Sequence, residues 1–325
     1  MGIEEQCEQA PEDEGRELAT EAGGMGRNIG TTGPNTRCES RVDVVVDWMA
    51  GSQSLRRAVP KETLYLPFDK QEYVYSAEQG WVRNITVDLV AVKGAQLWQE
   101  IQNAVAQRCG DRAVVGRLFL AMSPCCKTFT KADSTNISRG HNYRRSGADF
   151  PTRPPKDDTS AKGRAACEAD RMVKRGIEVA RPLSRVAKAK FYMENPEGGL
   201  CRRLYMRGWE RWEEDKVRRV EVHYCAYEHH YHKPTHLWTN LQESEWMPAG
   251  TTGTGKCEQR CLQGIRGQTG RWEHVYKLAQ GSWQAKGGPG RKANKNMMPR
   301  ALHVEILTAA GMLGRQEVSW TGRAD

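Results

Sequence analysis

Two short segments hold the residue types that covalent chemistry uses most. Ser123-Pro124-Cys125-Cys126-Lys127-Thr128-Phe129-Thr130 follows an apolar run, Arg117 to Met122, that reads as a strand. A cysteine where a strand gives way to a loop, with basic side chains nearby, is placed for a lowered pKa and for attack by its thiolate. Glu194-Asn195-Pro196 likewise follows a short apolar strand, Lys190 to Met193. A carboxyl group beside a thiolate can give a proton to a bound ring once burial has raised its pKa. Each feature alone has a plainer reading. A lone strand-end cysteine is commonly a small buried hydrophobe, and a strand-end acid is commonly a turn or helix cap. Together they point to nucleophilic attack on a ring with an acid alongside.

The elements that must position these residues alternate. Val42 to Trp48 holds the continuous run Val44-Val45-Val46, which fits a buried strand of a parallel sheet and ends in Ala50-Gly51-Ser52. A helix is predicted from Ser54, with Leu55, Ala58 and Val59 on one face. Leu64 to Pro67 is a second strand, with Asp69 just past its end, and Ile85 to Val92 a third, with Asp88 near its end. Leu97, Ile101, Ala104 and Val105 give the spacing of an amphipathic helix over 95–108, and Ala165, Ala169, Met172, Val173, Ile177 and Ala180 that of another over 164–180. Pro299 to Met312 reads as a last helix, on Leu302, Ile306 and Leu307. Strands alternating with helices describe a doubly wound α/β domain, whose ligands bind beyond the carboxyl ends of the strands. Gly51, Asp69, Asp88, Cys126 and Glu194 all belong to that edge.

Composition narrows the partners. The 325 residues allow two domains, or one with an insert. No run approaches the ~20 apolar residues that span a bilayer, and no signal-peptide pattern opens the chain, so membrane and secreted proteins are not expected. The 10 cysteines show no disulfide framework, since Cys125 and Cys126 are adjacent. They read as reduced and intracellular, and as nuclear if the source is a eukaryote. The net charge of +9 hides an uneven distribution. Residues 1–24 carry −7, whereas 139–190 and 251–300 carry +8 each. Residues 1–40 are expected to be a disordered acidic tail. The basic segments suit a polyanion, although charge runs are also ordinary solvated surface.

At this point the chain resembles the DNA (cytosine-5)-methyltransferases. Their Pro-Cys-Gln-x-Phe-Ser element is similar to Cys125-Cys126-Lys127-Thr128-Phe129-Thr130, and their Glu-Asn-Val to Glu194-Asn195-Pro196. Their Asp-Leu-Phe-x-Gly-x-Gly resembles Asp47-Trp48-Met49-Ala50-Gly51-Ser52-Gln53, with Gln53 in place of the second glycine. Their Gly-Asn-Ala-Val-Pro is similar to Lys295-Asn296-Met297-Met298-Pro299. Their Gln-x-Arg-x-Arg has only an arginine-free counterpart, Tyr231-His232-Lys233-Pro234-Thr235-His236. The resemblance implies a Rossmann-like catalytic domain that binds S-adenosylmethionine over 41–205, completed by 296–325, and a smaller loop-rich target-recognition domain over 206–295. It implies Cys126 as nucleophile, Glu194 as acid at the ring and Asn195 as support for its loop. Asp47, Gly51, Asp69, Asp88, Pro124 and Asn296 would hold the cofactor, with double-stranded DNA as substrate. No obligate protein partner is implied.

The remaining features are softer. Lys127, Arg139, Arg144, Arg145 and Arg164 around the loop 139–163, and Lys256, Arg271 and Lys286 among the glycines and aromatics of 250–295, suit phosphate contacts. Cys225, Cys257, Cys261 and His274 form a loose set of zinc donors. Gly253-Thr254-Gly255-Lys256 lacks the phosphate-loop frame, because Cys257 follows the lysine. Two other readings stay open: an exocyclic-amine (N4/N6) methyltransferase, whose motif would begin like Ser123-Pro124, and a catalytically impaired nucleic-acid-binding relative.

Overall fold

A computed structural model describes residues 40–50, 53–76, 80–126, 128–129, 160–229, 231–257, 264–266, 272–274, 276–277 and 297–314. The predicted acidic tail and the basic loop 139–159 lie outside them. Strands β1 (Arg41–Trp48), β2 (Leu64–Asp69), β5 (Ile85–Thr86), β6 (Val114–Met122), β7 (Lys190–Pro196), β8 (Arg218–His223) and β10 (Pro234–Thr239) form one sheet. Its order is β5-β2-β1-β6-β7-β10-β8. Neighbours from β5 to β7 are parallel, and β10 runs antiparallel to both β7 and β8. Strands β3 (Tyr73–Ser76) and β4 (Gly80–Arg83) make a separate hairpin. The short β9 (Tyr231–His232) pairs with β13 (Tyr276–Lys277), and β11 (Gly264–Arg266) with β12 (Trp272–His274).

Both faces of the sheet are covered, which is why β1 is a continuous apolar run rather than an alternating one. Side chains alternate along a strand, so Val44, Val46 and Trp48 face one way and Val45 the other. The first set joins α1 (Gly94–Cys109) and α2 (Ala161–Val186) through Leu97, Ile101, Val173 and Ala180. Val45 packs with Phe119, Tyr192 and the apolar side of α4 (Arg300–Ala309), including Leu302 and Ile306. A 3-10 turn over Ser54–Ala58 lies on that second side, buried through Leu55 and Ala58.

Register brings the chemistry-bearing loops to one edge. Trp48 pairs with Met122 and Met122 with Met193, while Trp48 also pairs with Phe68. The carboxyl ends of β1, β2, β6 and β7 therefore lie side by side, around Met49, Asp69, Ser123 and Glu194.

Helices α1 and α2 approach closely at Gly94. A Cβ built there would fall 2.3 Å from Cγ of Pro182 and 3.3 Å from the Glu178 carbonyl oxygen. The proline ring cannot swing away, since it sits inside α2. Gly94→Ala is accordingly expected to lower stability by about 1–3 kcal/mol, through overpacking. A lower urea midpoint at unchanged slope would report it.

Several expectations need correction. The third predicted strand, over 85–92, is cut to Ile85–Thr86, because Asp88 ends it: its Oδ1 accepts from the amides of Val90 (3.0 Å) and Ala91 (3.2 Å). The boundary at 206 also fails as a boundary of the sheet. Strands β8 and β10, expected in a separate recognition domain, complete the main sheet, and Trp209, Val222 and Trp238 lie in its cores. Helix α3 (Leu204–Arg211) supplies Trp209, stacked on Phe191 with centroids 5.5 Å apart. Among the described residues no helix is long and apolar enough to cross a membrane.

Candidate active site

Glu194 is the hub of the site. It stands at the carboxyl end of β7 with little exposure, and its Oε1 accepts from the Tyr224 hydroxyl at 2.9 Å and the Lys233 ammonium at 3.3 Å. Lys233 itself is buried, its ammonium 4.6 Å from the Tyr224 ring centroid. The two donors are held together by the backbone, the Tyr224 amide donating to the Lys233 carbonyl at 3.2 Å. A buried carboxylate needs such partners, because an uncompensated charge in the interior is costly.

Cys126 faces this hub across the gap between β6 and β7. Burial pushes its thiol up to about 11, and the Glu194 carboxylate adds to the rise, while Lys233 opposes it. The expected lowering of its pKa is therefore reversed, because the segment brought a carboxylate and desolvation to the sulfur as well as a cation. The loop around it is pinned on both sides. Asn195, fully buried, donates from Nδ2 to the Pro124 carbonyl at 3.3 Å. Past the cysteine, the Phe129 amide donates to the Cys126 carbonyl at 2.9 Å, and Phe129 itself is buried. Asn195 thus holds the cysteine loop directly as well as standing next to Glu194.

At the end of β1, Asp47 is buried and accepts from the Tyr65 hydroxyl at 2.6 Å. Burial raises its carboxyl to about 7, the Tyr65 hydrogen bond opposing and Asp69 adding to the rise. The loop that follows begins with Met49 and resumes at Gln53, both with positive φ (68° and 54°), a region costly for residues with a Cβ. Gln53 turns its buried side chain away, donating to the Arg83 carbonyl (2.9 Å) and Asn84 Oδ1 (2.7 Å). Among the described residues its Oε1 has no partner. Asp69 Oδ1 accepts from the Gln71 amide at 3.1 Å.

Other candidates sit apart. Cys225 is buried in the core, and among the described residues the donors that converge are His223, His232 and Cys257. Lys256 pairs with Glu221 at 3.1 Å on the surface, and Arg164 lies exposed in the first turn of α2. Gly51, Asn296, Cys261, Lys127, Arg139, Arg144, Arg145, Arg271 and Lys286 lie outside the described residues, as does the side chain of His274. The sequence alone does not mark Tyr224 or Lys233 as site residues. The one signal for Lys233 was its place in the arginine-free counterpart of an arginine motif.

No family model matches the chain. It is 29% identical over 190 residues to a protein of Frog virus 3 (isolate Goorha) described as a probable DNA (cytosine-5)-methyltransferase, across 57% of this chain and 72% of that relative. By sequence the chain is thus similar to a protein described as a cytosine-5 methyltransferase. Solved structures similar to it include the Entamoeba histolytica methyltransferase EhMeth, with a TM-score of 0.39 and 8% identity over 83% of this chain and 98% of that one. The S. pombe Dnmt2 methyltransferase has a TM-score of 0.36 and 12% identity over 62% of this chain and 52% of its own. Asp47, Cys126 and Glu194 follow one another along the chain, each at or just past the end of a parallel strand.

Proposed function

We propose that the chain methylates carbon 5 of cytosine in double-stranded DNA, using S-adenosylmethionine and a covalent adduct on Cys126. The observation that carries this reading is the meeting of Cys126 and Glu194 at adjacent strand ends, with Asn195 tying the two loops together.

The cytosine must first leave the base stack to reach such a site. Burial, and then the like charge that a thiolate would set beside the Glu194 carboxylate, hold the Cys126 thiol up. Passing the thiol proton to Glu194 keeps the charge of the pair at one. That single shift makes both reactive forms, a thiolate for C6 and a carboxylic acid for N3. The Lys233 ammonium beside the pair favours whichever member carries the charge. Addition of sulfur at C6 with protonation at N3 leaves C5 electron-rich. Bound S-adenosylmethionine supplies the electrophilic methyl group that the activated C5 accepts. Loss of the C5 proton to a base then expels the Cys126 thiolate, and the N3 proton returns to Glu194.

Asp47 fits the cofactor on chemical grounds. Among the described residues, no cation is recorded against this buried carboxyl, and the ammonium of a methionyl group would supply one. Asp69 and Asp88, one and two strands further out, remain candidates for the nucleoside. The exposed Arg164 and the surface-paired Lys256 suit phosphates, since an exposed ion pair is worth only about 0–1 kcal/mol and exchanges readily.

The test is a duplex carrying 5-fluorocytosine in place of the target base, incubated with the chain and S-adenosylmethionine. Fluorine cannot leave C5 as a proton does, so the expected product is a trapped protein–DNA adduct that Cys126→Ser abolishes. Methylation that survives Cys126→Ser would overturn the reading in favour of an exocyclic-amine methyltransferase. DNA binding with neither adduct nor methyl transfer would leave an impaired relative.

A further inference from the structure

We propose that His223, His232 and Cys257 bind a zinc ion, and that the ion braces the hairpin that clamps Glu194. The ligand atoms of these three residues all lie within 4.8 Å of one another. His232 Nε2 is 3.2 Å from His223 Nδ1, and the rings meet edge to face with centroids 4.9 Å apart. Tetrahedral zinc, with Zn–N of about 2.0–2.1 Å and Zn–S of about 2.3 Å, sets its donors roughly 3.3–3.6 Å from each other. The cluster is therefore at the right scale without large movement.

The surroundings are those of a ligand set. His223 Nε2 lies 3.0 Å from Glu221 Oε1, and a carboxylate on the far nitrogen orients a metal-binding histidine and increases its basicity. The Cys257 amide donates to His223 Nδ1 at 2.9 Å, so that nitrogen carries the lone pair and the far nitrogen the proton, and a bound ion would take that lone pair over from the amide. The same bond holds residue 257 against the ring. The loop that delivers it is fixed by the His223 amide donating to the Gly255 carbonyl at 2.8 Å. Gly255 has φ 65°, and a Cβ there would fall 2.5 Å from Cβ of Pro248, so the turn depends on glycine. Two imidazoles and one thiol select a borderline-soft ion such as zinc over magnesium or calcium, which prefer oxygen.

The site's place in the fold gives it a purpose. His223 is followed by Tyr224 and His232 by Lys233, the two groups that hold Glu194 Oε1. An ion across His223 and His232 would cross-link the hairpin one residue before each of these donors. Cys257 would tie in the chain that leads on to β11, β12 and β13. The fourth tetrahedral position is open to water or to a further donor. The backbone of His274 lies two residues ahead of Tyr276, which pairs with Tyr231 beside the site. The proposal does not rest on methyl transfer, and its test does not read it.

The test uses the full chain purified without chelators. Metal analysis is expected to find about one zinc per chain, lost in Cys257→Ser and His232→Ala and kept in Cys225→Ser, as a three-donor set requires. Cobalt(II) added to the metal-free chain should give a thiolate-to-metal charge-transfer band that zinc erases. Because a variant can fail by misfolding, the unmutated chain supplies an independent reading: zinc should shield Cys257 from alkylation, followed peptide by peptide. A chain that takes up no zinc, or labels equally at Cys257 with and without it, overturns the proposal. So does a zinc content unchanged by Cys257→Ser.

Discussion

Lys233→Met is expected to cost about 3–5 kcal/mol of stability, the usual result of stripping one partner from a buried ion pair. Methionine nearly preserves the volume, so the loss would come from charge. Glu194 would be left in the interior with the Tyr224 hydroxyl but without the ammonium 3.3 Å away. Denaturant unfolding measures the change, and Lys233→Arg should recover part of it.

The same substitution has a chemical signature that simple loosening of the site would not copy. Lys233 lowers the Cys126 thiol and Glu194 raises it, around a value of about 11. Lys233→Met should therefore slow alkylation of Cys126 at a given alkaline pH, and Glu194→Gln should speed it. A thiol with a raised pKa reacts through the small thiolate fraction, so both rates should climb across the alkaline range. If both variants speed alkylation equally, the site has merely opened and the electrostatic account is wrong. Methyl transfer should fall in both, by roughly 10²–10⁴-fold if the proton at N3 is lost.

These paired effects also explain why part of the site was legible and part was not. Cys126 and Glu194 end apolar runs, and an apolar run with a polar residue at its end is a local pattern. Asp47 was visible for the same reason, after Val44-Val45-Val46. Lys233 and Tyr224 are different. They reach Glu194 only because β10 inserts antiparallel between β7 and β8, a pairing of segments some 40 residues apart. Nothing in Pro234-Thr-His-Leu-Trp-Thr alternates, since this strand is buried on both faces. In sequence it therefore blends with the Trp- and His-rich segment around it, which reads as a recognition domain. The error in the Cys126 pKa has the same origin. Nearby basic residues can be counted along the chain, but the desolvation and the facing carboxylate exist only once the sheet has formed. Gln53 shows the converse. Its departure from glycine was plain in the sequence, but only the fold supplies Arg83 and Asn84 to anchor it in a left-handed conformation.

The second large effect belongs to Asp47. Its carboxyl stands at about 7 in the folded chain, against 3.8 for the free group, mainly because it is buried. Between those values the folded state keeps a proton that the unfolded state has lost. Stability should therefore fall as pH rises from about 4 to 7, and level off above. The full difference corresponds to roughly 4 kcal/mol, at about 1.4 kcal/mol for each pH interval of one. Asp47→Asn removes the titration, so the variant should be more stable than the parent above pH 7 and little different near pH 4. Melting temperatures across that range measure both slopes. Such a penalty is reasonable at a binding site, because the cation that relieves it arrives with the ligand. An ammonium placed against Asp47 would favour the carboxylate and expel its proton. The rise in melting temperature caused by S-adenosylmethionine should therefore grow from pH 5 to about 7.5, beyond which an α-amino group with a pKa of about 7.7–8.0 begins to lose its own charge. In Asp47→Asn the rise should be small and flat with pH. A cofactor effect that ignores pH in the parent chain would mean that the ammonium lies elsewhere, and that the buried carboxyl serves the fold through its hydrogen bond to Tyr65 alone.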